Sequence, residues 1–529
     1  MGNSKFTFID LFSGIGGFRL ALNSIGGKCI NFSEINSDAI STYCTNFNEK
    51  LNYNLGDITK IKSLPNHDLL TGGVPCQSWS IAGKNLGFDD DRGQLWNDTV
   101  YLLNQSKPKA FIFENVKGLV DPRNKEALNY ILNRIKDAGY YTNFYLINSY
   151  DYGVPQNRLR VYIVGFKDRE YFDKFILPKP VKNKIQLRHI LSNLETLTNQ
   201  ENEILDNNLF GEIIKQRNMS LSTSNGVNDY FLFNDLRNGH STIHSWDILN
   251  TTERQKNICN LLLKNRRKSA YGKLDGNPLS YKHFKDLDTT ITKNELDELV
   301  ELEILKKEGY SFLVKEFDEQ SLSEDEKSVL ESSINNVLYV ELLKNNRDFK
   351  LKKISVSKTL QILIEKNIIT CDEIRYDFKN TKISTGLFGI NRIFLSSSNI
   401  FPTLVASDTN DFITTKTISA NNESEYKEKF LEEIFKMGAF RKITKSEACK
   451  IQGFPDNYLL PENRARWMKL IGNSVSVPVI EMIGKAILDT GVFDGNSKLI
   501  SNIEKNSKQE NAKSVFQIWF HLKFYRMNY

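Results

Sequence analysis

The chain has 529 residues, enough for three or four domain-sized units and for a core that needs no disulfide or metal staple. It is 40% hydrophobic and 25% charged, and its 70 Lys plus Arg against 64 Asp plus Glu leave a net +6, which permits a polyanionic partner without demanding one. No apolar run approaches the roughly 20 residues that span a bilayer, the first residues lack a secretory pattern, Phe6 breaks the myristoylation motif begun at Gly2, and six scattered cysteines without a CxxC pair read as reduced thiols of a cytosolic protein with no metal site.

Phe6–Phe12 is a short apolar run ending in a glycine loop, and Phe18–Ile25 reads as a helix. Phe111–Phe113 and Val161–Phe166 read as buried strands, with an amphipathic helix over Ala127–Asp137 between them. This alternation over residues 6–166 predicts an α/β domain with a largely parallel sheet. From residue 170 to 440 the alternation is lost, and Asn, Lys, Glu and Ser dominate. Leu296, Leu299, Val300 and Ile304 recur at helical spacing before a short apolar Phe312–Val314. Leu360–Tyr376 has a similar helix-then-strand texture, too faint a likeness to establish a duplicated module. Residues 441–490 return to motif-like sequence. Asn496–Asn511 reads as a polar linker, and Val515, Ile518, Trp519, Leu522 and Tyr525 would line one face of a terminal helix.

Four constellations carry chemistry. Asp10-Leu11-Phe12-Ser13-Gly14-Ile15-Gly16-Gly17-Phe18 sets glycines between a strand and a helix, where a ligand can approach the backbone near a helix N-terminus. Glu34 lies where an acid accepts hydrogen bonds from ribose hydroxyls, and Asp57 is expected at the end of a third strand. The glycine spacing is not GxGxxG, which disfavours a dinucleotide; a tight structural turn explains the loop alone nearly as well. In Gly72-Gly73-Val74-Pro75-Cys76-Gln77-Ser78-Trp79-Ser80 a turn lifts Cys76 out of the sheet, a position that suits a nucleophile, although a lone Cys is most often core filler. Phe111-Ile112-Phe113-Glu114-Asn115-Val116 puts Glu114 at a strand's C-terminal edge, where α/β sites form; a capping Glu-Asn pair is the plainer alternative. In Gln156-Asn157-Arg158-Leu159-Arg160 strand alternation sets Arg158 and Arg160 on one face, suited to an anion or a polar base edge, or else an ordinary solvated edge.

In this order and spacing the segments resemble the DNA (cytosine-5) methyltransferases of bacterial restriction-modification type. Residues 10–17 resemble that family's cofactor loop, Pro75-Cys76-Gln77 its catalytic loop, Glu114-Asn115-Val116 its base-binding strand and residues 156–160 its paired-arginine strand. Arg441–Asp456, with Thr444, Glu447 and Gln452-Gly453-Phe454-Pro455-Asp456, resembles the penultimate motif, and Gly472-Asn473-Ser474-Val475 the last. Ile35 departs from the pattern, since many members carry an aromatic there; Phe12 is left to supply that contact. The resemblance implies an α/β, Rossmann-like S-adenosylmethionine-dependent methyltransferase fold with an inserted target-recognition domain. Its parts would be a catalytic domain over 1–185, a recognition domain with a helical insertion over 186–440, motifs completing the catalytic domain over 441–495, and a linker and aromatic tail over 496–529.

The resemblance also implies S-adenosyl-L-methionine as cofactor, held by Asp10, Phe12, Gly14, Gly16, Gly17, Glu34, Ile35, Asp57, Ile58, Pro75, Asn473, Ser474 and Val475. Cys76 would add to C6 of a cytosine flipped out of double-stranded DNA. Glu114 would bind N3 and the exocyclic amine, Arg160 and Arg158 the carbonyl oxygen, and Asn115 would brace the Cys76 loop. Residues 80–92, hinged at Gly83 and Gly87, would close over the base, with Gln77, Ser78, Ser80 and Arg92 touching DNA. The central stretch of about 270 residues exceeds a typical domain of roughly 100–150 and so carries an insertion. Within it Arg254, Arg266, Arg267 and Lys268 belong to a basic cluster suited to phosphate contacts, a solvated helix face being nearly as good an account. Asn238–Trp246 and Ser396–Thr415 hold small polar groups suited to bases, and zinc at His240 and His244 lacks a third ligand. The expected assembly is a monomer, paired in function with a restriction endonuclease without stable contact. A tRNA cytosine-5 methyltransferase on the same scaffold is disfavoured by the long variable stretch. A non-catalytic DNA-binding relative is disfavoured by intact Cys76, Glu114, Arg160 and Asn473.

Overall fold

A computed structural model describes residues 4–75, 91–192, 229–236, 241–317, 322–381 and 385–494. The N-terminal part supplies β1 (Phe6–Leu11), β2 (Gly27–Ser33), β3 (Leu69–Gly73), β4 (Ala110–Val116), β5 (Tyr141–Asn148), the two-residue β6 (Gln156–Asn157) and β7 (Leu159–Phe166). All but β6 form one six-stranded sheet in the order β2-β1-β3-β4-β7-β5. β1 to β4 run parallel, and β7 lies antiparallel between β4 and β5. The expected largely parallel α/β sheet is therefore present.

The strand sequences explain this sheet's two cores. Along β1, Phe6 and Phe8 enter one core while Ile9 and Leu11 enter the other. On β4, Ala110 and Ile112 oppose Phe111 and Phe113 in the same way. Strands buried on both faces need helices on both. α1 (Gly17–Ser24) covers one face with Phe18, Ala21 and Leu22, and α2 (Ser37–Phe47) stacks Tyr43 on Phe32 at 4.0 Å between ring centroids. α3 (Asp91–Ser106) and α4 (Lys125–Asp137) cover the other face with Trp96, Val100 and Leu103, and with Leu128, Ile131 and Ile135, at helical spacing.

The middle of the chain builds two more four-stranded sheets. β8 (Tyr230–Phe233), β9 (Thr242–Ile243), β14 (Arg392–Phe394) and β16 (Asp411–Ile413) form one, ordered β16-β14-β8-β9, while β15 (Phe401–Pro402) pairs in parallel with β6. The other lies wholly between β9 and β14 and contains β10 (Leu279–Ser280), β11 (Leu305–Val314), β12 (Val337–Tyr339) and β13 (Ile369–Phe378), ordered β10-β13-β11-β12.

This second sheet comes from a duplicated unit, the likeness that was too faint in the sequence. In the first copy α5 (Glu253–Asn265) precedes β10, α6 (Tyr281–Leu287), α7 (Lys293–Glu301) and β11. In the second, α8 (Glu324–Glu331) precedes β12, α9 (Val340–Asn345), α10 (Arg347–Leu351), α11 (Val356–Glu365) and β13. The long strands pair antiparallel with Leu305 facing Phe378 and Val314 facing Ile369, a register that maps onto itself when the copies are exchanged. Leu279 and Ser280 lie against Tyr376 and Arg375 as Leu338 and Tyr339 lie against Phe312 and Ser311. Each short strand thus pairs with the other copy's long strand. Leu296, Leu299, Ile304 and Leu305 fill one core as Leu360, Leu363, Ile368 and Ile369 fill the other. Even the left-handed residue before each long strand recurs, Glu303 and Asn367 both at φ 59°.

After β16 the chain returns to the first sheet through α12 (Lys445–Gln452), α13 (Arg464–Asn473) and α14 (Val477–Asp489). Val479, Ile480, Ile483 and Ile487 of α14 join Phe6, Phe8, Leu22 and Ile25 in one core. Arg464–Asp489 is long and apolar enough to cross a membrane by composition alone, more than the sequence reading allowed. Ser474–Ser476 break it into α13 and α14, and 72% of its most apolar window is buried within the fold. The expected linker and aromatic terminal helix lie outside the described residues.

Leu299 and Leu363 are matched, fully buried positions of the two copies. Leu299→Ala and Leu363→Ala should each cost about 2–5 kcal/mol of local stability, read as lost amide-exchange protection on β11 and β13.

Candidate active site

The site lies where β1, β3 and β4 end. After β1 the chain turns through Phe12 and Gly14, at φ 50° and 53°, and through Gly16 at φ 85°, before Gly17 opens α1. A side chain at Gly14 would meet nothing within 4 Å, so the left-handed backbone there borders open space. Gly14 N–H donates to Glu34 Oε2 at 2.9 Å, while Glu34 Oε1 accepts from the backbone N–H groups of Ile35 and Asn36 at 2.8 Å each. Asn54 fixes this acid's backbone from both sides, accepting from Glu34 N–H and donating to Glu34 C=O. Ile35 beside it is 75% exposed.

Asp10 is fully buried at the end of β1, with Thr71 Oγ1 donating to its Oδ1 at 3.0 Å. Its Oδ2 has no partner among the described residues. Burial pushes this carboxyl up to about 7. An open glycine turn, a buried orphan oxygen and an anchored acid just after β2 thus come together at one end of the sheet.

Asp57 departs from expectation. The third strand is β3, at Leu69–Gly73, and Asp57 instead starts a single 3-10 turn over Ile58–Lys60. Its Oδ1 accepts from Thr59 N–H and hydroxyl, and these bonds hold the carboxyl below its ordinary range. Ile58 is buried against the second core. Asp57 remains beside β2 through the Leu55 N–H bond to Phe32 C=O.

Glu114 sits near the end of β4, opposite Tyr162 of β7. It is 9% exposed, and its Oε1 lies 3.1 Å from Arg160 Nε. Burial raises this carboxyl, against the lowering pull of Arg160 and Arg158. Asn115 Nδ2 donates to Val74 C=O at 3.2 Å and so ties β4 to the segment that leads through Pro75 to Cys76. Cys76, Gln77, Ser78 and Ser80 lie outside the described residues, and so does the side chain of Arg92, which belongs to the first turn of α3.

Arg158 corrects the paired-arginine expectation. It precedes β7 and is 2% exposed. Its Nη1 donates to Leu404 C=O at 2.9 Å, and its Nη2 donates to Gly472 C=O at 3.2 Å and Ser474 C=O at 2.8 Å. Burial and neighbouring Arg160 pull it down to about 9. A guanidinium committed to three carbonyls braces the site and is not free to hold a base, so Arg160 alone faces Glu114 as an ion-pair partner.

Sequence reasoning gave no role to the amides beside it. Gln156 Nε2 donates to Ile451 C=O and to Gln452 Oε1, and its Oε1 accepts from Leu404 N–H. Gln452 in turn donates to Ser474 C=O at 2.6 Å. The available signal was that each amide stands inside one of the motifs. Glu447 is fully buried, bonded to both Nη groups of Arg441 at 2.8 Å and to the N–H groups of Ser192 and Thr444. Ser474 and Val475 are buried against the glycine turn at Gly17, whereas Asn473 is exposed at the end of α13. Val475 also lies near Gly73, whose added side chain would approach Glu114 Oε2 at 3.9 Å. The two ends of the motif series therefore meet in one place.

The basic cluster does not form a free strip. Arg266 is 6% exposed and paired with Asp377 at 2.9 Å, so it is a core ion pair and not a phosphate contact. Arg254 is held by Asp288, Glu295 and Thr290. Arg267, 3.8 Å from Asp275, and Lys268 stay exposed. Of the two histidines, His240 lies outside the described residues and His244 stacks on Trp246 at 4.2 Å.

Residues 6–330 and 275–489 match the family described as C-5 cytosine-specific DNA methylase. The chain is 41% identical over 492 residues to the Type II methyltransferase M.HgiBI of Herpetosiphon aurantiacus, covering 93% of this chain and 98% of that one. It is 30% identical over 518 residues to the Type II methyltransferase M.NlaIV of Neisseria lactamica, covering 91% and 99%. With the Type II methyltransferase M.HpaII of Haemophilus parainfluenzae the identity is 46% over 183 residues, 34% of this chain and 50% of that one.

Arg158→Lys keeps the charge and loses the fork. Each bond from a charged donor contributes about 1.5–3 kcal/mol, so the urea midpoint should fall and activity with it. Asp10 keeps its proton to about 7 when folded but gives it up near 3.8 when unfolded. Its contribution to stability is therefore full below pH 4 and declines as pH rises to about 7. Unfolding midpoints measured across that window should show a decline in the native chain that Asp10→Asn flattens.

Proposed function

The chain belongs to the C-5 cytosine-specific DNA methylases, and on that footing we propose that it methylates C5 of a flipped-out cytosine in a specific double-stranded DNA sequence, through a covalent bond from Cys76 to C6. The observation that carries the reading is the buried Glu114–Arg160 pair at 3.1 Å, beside the Asn115 tie to the Cys76 segment.

Asp10, the Gly14 turn, Glu34 and the buried Ser474–Val475 corner would hold S-adenosyl-L-methionine, with Phe12, Gly16, Gly17, Ile35, Asp57, Ile58, Pro75 and Asn473 around them. When bound it supplies an electrophilic sulfonium methyl for an electron-rich C5. The chain's part is to make C5 electron-rich. The Cys76 thiolate forms an S–C6 bond, and the C5–C6 π electrons shift so that negative charge develops toward N3. Glu114, its carboxyl raised by burial, holds a proton there and neutralises that charge. Arg160 fixes Glu114 and orders the base's polar edge. A solvent-linked base then takes the C5 proton, the C5–C6 double bond re-forms as the Cys76 thiolate leaves, and the N3 proton returns to Glu114. Stacked duplex offers no approach to C6, which is why the base must leave the helix.

The recognition domain would lie between the two catalytic segments. In the cell the enzyme would work as a monomer in the cytoplasm, shielding host DNA from a cognate restriction endonuclease without stable contact with it.

Cys76→Ser should abolish methyl transfer and retain DNA binding; full activity in that variant would overturn the nucleophile. Glu114→Gln should lower kcat by about 10²–10⁴. A duplex carrying 5-fluorocytosine should trap a covalent adduct with the native chain. Bisulfite sequencing of DNA from expressing cells should return one methylated sequence, and methyl transfer to tRNA in place of duplex DNA would sink the assignment.

A further inference from the structure

The duplicated unit presents two versions of one face that differ in charge, one neutralised and one cationic. In each copy two helices joined by a turn are followed by a long strand, and such a helix–turn–helix face is one through which proteins contact duplex DNA. In the first copy this face is closed. Arg254 reaches from α5 to the turn between α6 and α7 and binds Asp288 Oδ2 at 2.8 Å and Glu295 Oε1 at 2.9 Å. The charges along α7 itself are then mostly acidic: Glu295, Asp297, Glu298 and Glu301.

The second copy differs at the matching place. Residues 344–358 carry six cations and one acid, Asp348. Lys352 and Lys353 occupy the turn between α10 and α11, Lys358 the first turn of α11, with Lys344 and Arg347 just before; all five are exposed. Among the described residues none of the five forms an ion pair, although many exposed lysines elsewhere do. The matched buried positions show that the two copies kept one core while their faces diverged, one neutralised and one left cationic. Lysine is a point charge without the paired donor and acceptor of an amide, so it grips phosphate without reading bases.

We infer that the second copy's helix–turn–helix face, built on Lys352, Lys353 and Lys358, docks on the phosphate backbone of the DNA substrate and adds a sequence-independent hold. This rests on the reading that duplex DNA is the substrate.

The test uses the full-length chain and a duplex containing the methylated sequence with long flanks. A triple variant, Lys352→Gln, Lys353→Gln and Lys358→Gln, is compared with a control in the first copy, Lys264→Gln, Lys282→Gln and Lys293→Gln. Three lost phosphate contacts should reduce the slope of log affinity against log salt by about 2–3. KM should rise, while kcat, the methylated sequence and the unfolding midpoint stay unchanged, and the control should behave as the native chain. An unchanged slope, or an equal loss in the control, would overturn the docking face. A native chain that transfers no methyl group to DNA would overturn the reading of function instead, so the two failures are distinguishable.

Discussion

A buried guanidinium is costly unless its donors find acceptors, and both Nη groups of Arg158 find carbonyls from distant parts of the chain. Leu404 belongs to the central stretch, Gly472 and Ser474 to the last motif, and Arg158 itself to the link between β6 and β7. Gln156 and Gln452 tie the same segments with a second set of bonds. Losing these acceptors would leave a buried charge unpaired, so the three segments are held to one another through Arg158. The return of the chain to its first sheet after the central stretch follows from this point.

The reactive corner inherits its geometry from that brace. Ser474 and Val475, fixed by the carbonyl contacts, press on the start of α1 at Gly17 and come near Gly73 and Glu114. The glycine turn after β1 is held from the other side by Glu34. A ligand between them would be framed by parts placed by packing and not by its own binding, which is what preorganisation means here. Glu114 gains from the same enclosure, because desolvation raises its carboxyl while Arg160 limits the rise.

β1, β4, β7 and the glycine turn after β1 were legible because the signals are local: runs of buried residues, glycines at a turn, an acid at a strand end. The fates of the arginines were not. Arg266 finds its carboxylate in Asp377, on the last strand of the duplicated unit, and nothing near Arg266 in sequence announces that partner. Arg158 and Arg160 look equivalent by strand alternation, yet one faces carbonyls and the other a carboxylate. Asp57 looks like a strand end in sequence because the polar turn at Asn54–Thr59 and the true β3 lie within one short stretch. The duplication was hidden for another reason. Burial constrained its core positions alone, and the surfaces that fill a residue-by-residue comparison were free to drift.

The strand exchange inside the duplicated unit also bears on how this chain could have changed length. Neither copy owns a complete sheet: each short strand is completed by its sibling's long one. Deleting one copy would leave the survivor with an unpaired edge, a template for misassociation. The pair is in this sense a single unit: loss of either copy strips the other's short strand of its partner. Among chains built on this plan, the central stretch should come with both copies or with neither.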